Sequence, residues 1–176
     1  MHALLPKGRI FSDGERALAL ALVATALFGA VVAAIAVMRF DDGAVISRPL
    51  SPYELWIVAS GAIGAAAGLY LWRHRIGQIG LRGAARSLAG MVLVSALGAV
   101  IAGTLALPLY GTMFGPFTLA VILASSPVAA AAWFVNQLAA HLLVQKYHTE
   151  RDSIFVAVPA DPRPGRRPAA RISPRL

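Results

Sequence analysis

Charge is missing from long stretches of this chain: no Lys, Arg, Asp or Glu occurs in residues 17–38, 55–72 or 87–145. Roughly 20 uncharged apolar residues already span a bilayer, and a soluble core of this size does not need runs that long. Cysteine is absent altogether. That excludes disulfides, thiolate metal sites, a thiol nucleophile, Cys-linked lipid and thioether-attached haem. Ionisable side chains are also absent from the middle of every apolar run. Proton- or ion-coupled carriage normally requires a carboxylate, His or Lys near the bilayer midplane, so such mechanisms lose their main support. The expectation is a non-enzymatic protein with no metal and no cofactor.

What is present agrees with a polytopic membrane protein. Mean hydropathy is +0.69, with 58% hydrophobic and only 14% charged residues. The first 16 residues are polar and precede a long apolar run, which fits a retained membrane span better than a cleaved signal peptide.

Spans are expected at 17–38, 54–72, 87–107 and 116–141, between a cytoplasmic segment at 1–16 and a basic tail at 146–176. Ser12 with Glu15, and Ser51 with Pro52 and Glu54, form capping boxes at the first two starts. Tyr53 and Trp56 mark one end of the second span, and Tyr70 and Trp72 the other, as interfacial aromatics do. The run 87–145 would reach ~90 Å as one helix, about three times a hydrocarbon core, so it must turn back. Two prolines and two glycines at 108–116 predict where. The expected fold is an all-α integral membrane four-helix bundle of two antiparallel helical hairpins.

Its orientation follows from arginine and lysine. The N-terminal segment, second loop and tail hold 14 of the 16 Lys and Arg residues, which predicts N-in/C-in topology, and the small size with an Arg-rich, Lys-poor, Ala-rich composition points to a bacterial inner membrane. The net charge of +8 is thereby assigned to topology and anionic headgroups, not to nucleic acid. Arg73, Arg75, Arg82 and Arg86 in the second loop, and Arg163, Arg166, Arg167 and Arg171 in the tail, are the expected lipid or partner contacts. Gly77, Gly80 and Gly83 match neither the dinucleotide fingerprint nor a P-loop. Residues 154–158 have the pattern of a short strand, and the sequence beyond is rich in proline and arginine.

Small residues recur at i+4: Ala21, Thr25, Gly29 and Ala33; Ser60, Gly64 and Gly68; Ser95, Ala99 and Gly103. In lipid such stripes allow close helix contact, within a bundle or against other membrane subunits or a second copy. Ser125-Ser126-Pro127 predicts a kink in the fourth span, because Pro127 cannot donate to the carbonyl of Leu123, and makes Pro127 a candidate hinge. Gln137, His141 and Gln145 share one polar helix face near an interface, with His148 beyond. That face and His74 are the weak candidates for a quinone or haem contact. The leading expectation is an accessory or assembly subunit of a larger complex, with an oligomeric transporter or channel second and a quinone- or haem-associated redox protein third.

Overall fold

A computed structural model describes residues 12–40, 48–78 and 81–153. The strand expected at 154–158 and Arg163, Arg166, Arg167 and Arg171 lie outside the described residues, as does the side chain of Arg82. Five α-helices follow in order: α1 Asp13–Phe40, α2 Pro52–Trp72, α3 Leu81–Ala106, α4 Gly111–Ser125 and α5 Pro127–Ser153. One 3-10 turn, Arg73–Arg75, extends α2. Both capping boxes form. Ser12 N–H donates to Glu15 at 2.9 Å and Ser51 N–H donates to Glu54 at 2.6 Å, each Ser hydroxyl accepting the reciprocal amide. Among the described residues four helices are long and apolar enough to cross a membrane: Asp13–Phe40, Pro52–Arg75, Ala85–Ala106 and Pro127–Ser153. This is a multi-pass membrane architecture.

The fourth span is displaced from the expected 116–141. α3 ends at Ala106 and the chain turns through Pro108, but Pro116 lies inside α4. With 15 residues α4 reaches only ~22 Å, too short for a hydrocarbon core of ~30 Å. Ser126 then leaves the helical region at φ −137° and ψ 107°, and its hydroxyl accepts the Ala129 N–H at 3.2 Å. The expected kink at Pro127 is therefore a complete break. Pro127 removes a donor and disfavours helical geometry in the residue before it, while Ser126 supplies the cap that starts a new helix. No serine or threonine directly precedes Pro116 to do the same, and the helix passes through it.

The turn between α3 and α4 contains Leu109 at φ +74°, almost fully exposed. A branched side chain is strained there, and one 88% exposed buries little surface to offset it. Leu109→Gly is expected to raise stability by about 1 kcal/mol, seen as a higher thermal midpoint in mild detergent.

Glycine sets the helix spacing. A Cβ on Gly64 would lie 2.5 Å from the Gly98 carbonyl and 2.6 Å from the Ala102 amide, and one on Gly68 would lie 2.6 Å from the Val94 carbonyl. Increasing numbers on α2 thus meet decreasing numbers on α3, and the two helices run in opposite directions. Gly29 meets Gly61 and Ala65 between α1 and α2; Gly103 meets Gly111 and Gly115 between α3 and α4. α5 packs on α1, where the Gly14 N–H donates to the Glu150 carboxylate. The densest core, Ala21, Leu69, Ile76, Met91, Val94, Ala140 and Val144, lies toward the end that carries Arg73, Arg75 and Arg86. The opposite end is less filled.

Candidate functional site

The small-residue faces predicted for packing are occupied within the chain. Gly29, Gly64, Gly68 and Gly103 each abut a neighbouring helix, and Ser60 is fully buried with no hydrogen-bond partner for its hydroxyl among the described residues. Docking on another subunit must then use other surfaces.

The polar face of α5 divides in two. His141 Nδ1 accepts the Gly77 N–H at 3.1 Å, and His148 Nε2 lies 3.3 Å from the Arg73 carbonyl. The backbone of Gln145 is so close to Gly77 that a Cβ there would sit 2.8 Å from its nitrogen. These three residues hold the turn after α2. His74 instead stacks near Trp72, ring centroids 6.1 Å apart. Close by, the Arg73 guanidinium lies 4.2 Å from the Tyr70 ring centre and that of Arg75 5.4 Å from Trp72, a cationic and aromatic rim at the basic end.

Gln137 behaves differently. It was expected near an interface, but a span that begins at Pro127 places it about three turns into α5. There it is 3% exposed and donates to Ser95 Oγ at 2.8 Å. Trp133 Nε1 donates to the same oxygen at 2.9 Å, and Ser95 donates onward to the Met91 carbonyl at 2.9 Å. With one proton given and two accepted, that hydroxyl is saturated. Ser95 is central in the Ala85–Ala106 candidate span, so the group lies midway along that helix.

Above it opens a crevice of about 540 Å³. Phe28 and Val32 of α1 line one wall and Phe114 and Leu119 of α4 the other, with bare glycine backbone of α1, α2 and α3 between. Thr25, Ser95, Trp133 and Gln137 form the floor. Tyr53 and Glu54 line the far end, where the Glu54 carboxylate is held by Arg48 at 2.6 and 2.9 Å. Thr25 is 4% exposed and its hydroxyl has no hydrogen-bond partner among the described residues.

No known protein family, curated protein or solved structure matches this chain. The site is therefore read from its own chemistry. The hydrogen-bonding groups of its floor are neutral and its walls apolar, which suits an uncharged polar group carried on hydrocarbon. Among the described residues no three His, Asp or Glu side chains gather as a metal site would require. Sequence reasoning placed Thr25 and Ser95 only in small-residue stripes and passed over Trp133. The available signal was a tryptophan in the interior of a charge-free run, away from the interfaces where this residue concentrates.

Proposed function

We propose that the protein is a non-catalytic accessory or assembly subunit of a larger complex in a bacterial inner membrane. In this reading α1, α2, α3 and α5 form an N-in/C-in four-helix bundle of antiparallel hairpins. The basic rim of Arg73, Arg75 and Arg86 then meets anionic headgroups on the cytoplasmic side. The observation that carries the proposal is the helix break at Ser126. It falls within the charge-free run 87–145, and Ser125 and Pro127 are exposed beside it. α4 is too short to cross the bilayer and the break sits at the start of the Pro127–Ser153 span, so this end of the molecule leaves apolar side chains outside the bundle that a covering protein would bury. Next to it Val128 is 79% exposed, an apolar surface able to take a partner helix.

The cysteine-free chain makes the test direct. Val128→Cys, cross-linked in native membranes, is expected to yield one defined adduct with a different polypeptide that also co-purifies stoichiometrically. Leu20→Cys, exposed on α1, is expected to yield none. An adduct only with a second copy would overturn the accessory reading in favour of an oligomeric transporter or channel, for which the broken helix is the supporting feature. Absence of any adduct would leave the break uncovered and defeat both.

A further inference from the structure

We infer that the crevice between α1 and α4 is a binding site for a neutral amphiphile that presents a ring carbonyl to the floor and lays a hydrocarbon tail along the glycine-lined back wall, the chemistry of a membrane quinone. This inference is independent of the accessory-subunit reading.

Three observations converge on it. The first is the unpartnered Thr25 hydroxyl. Ser95, Thr104 and Thr149 each donate to the carbonyl four residues earlier, at 2.9, 2.7 and 3.0 Å. Thr25 makes no such bond although it is nearly fully buried and lines the crevice. A buried hydroxyl without a partner costs free energy that a bound acceptor would recover. The second is the saturation of Ser95, which fixes Gln137 and Trp133 against α3. Gln137 commits one N–H to Ser95 and keeps another to give. Thr25 and Gln137 can each give a proton to one ligand oxygen, which is what a carbonyl needs, and the indole of Trp133 offers a planar surface beside it.

The third is shape and charge. A volume of about 540 Å³ is in the range that holds a ring and a short tail. Among the described residues no Lys, Arg or His lines the crevice, and the one carboxylate among them, Glu54, is at the far end and paired with Arg48. A charged head at the floor would meet no counter-charge, whereas a carbonyl meets two donors. An acyl chain entering tail-first would fill the walls yet leave Thr25 unpaired.

The test uses the full chain in nanodiscs, decyl-1,4-benzoquinone as probe and tryptophan fluorescence as readout. Saturable quenching is expected, and Trp133→Phe should remove the saturable component. The isosteric Thr25→Val should weaken binding about fivefold, the contribution of one hydrogen bond, while Thr25→Ser should stay within about twofold of the parent. Decylbenzene, with the same tail and no carbonyl, should compete at least ~10-fold less well. Unaltered elution of each variant on size exclusion checks folding. Equal affinity in Thr25→Val, or competition by decylbenzene as strong as by the quinone, would show that the crevice takes hydrocarbon alone and would overturn the inference. So would quenching that persists in Trp133→Phe, or none that saturates.

Discussion

Gly64→Leu is expected to remove most of the monodisperse protein from a mild-detergent preparation, with the remainder melting roughly 10 °C lower. A Cβ at this position meets backbone on α3, the Gly98 carbonyl and the Ala102 amide, and not the tip of a movable side chain. Backbone cannot rotate aside, so α2 and α3 must separate along their whole contact, the most extensive in the molecule. Van der Waals contact is the main attraction between helices in lipid, and it decays steeply with that separation. Roughly 3 kcal/mol is expected, at the upper end of overpacking costs, which corresponds to the shift stated for a chain of 176 residues. Ile63 is adjacent but half exposed, so Ile63→Ala should change the melting point little. If Gly64→Leu and Ile63→Ala melt alike, the glycine contacts do not set the helix spacing.

The second large effect is expected from Gly77→Ala. This residue has φ +82°, where any side chain is strained, and its Cβ would lie 2.8 Å from the Gln145 amide nitrogen. Its own N–H donates to His141 Nδ1, so a displaced turn also loses the bond that ties the second loop to α5. The two terms together amount to about 2–4 kcal/mol. Limited proteolysis should find the 73–78 region protected in the parent and cleaved in the variant. His141→Ala removes only the hydrogen bond and should expose the same region less. Comparable protection in all three proteins would mean that α5 does not hold this turn.

Much of the architecture was legible because membrane spans announce themselves through missing charge. Capping boxes at Ser12 and Ser51 marked helix starts, since short polar side chains before an apolar run have few other uses there. The glycine and alanine stripes pointed to close contacts, although only the structure pairs Gly64 with Gly98 rather than with another subunit. The fourth span was misplaced because two prolines, Pro116 and Pro127, look equally disruptive in a linear reading. What distinguishes them is the residue before each: Ser126 can cap a new helix and Gly115 cannot. That displacement carried Gln137 from an expected interface to about three turns inside α5. The crevice was illegible for a different reason, since it is an absence between helices, and no local pattern records how far α4 stands from α1.

α5 does not stop where its apolar surface does. The uncharged run ends at Gln145, yet the helix continues through Lys146 to Ser153, and Glu150 fastens it to the first turn of α1. At ~1.5 Å per residue this makes a rigid stalk of roughly 12 Å rising from the bilayer surface. The end of that stalk is thus held over the start of α1 by Glu150. The chain beyond Ser153 starts from that anchorage.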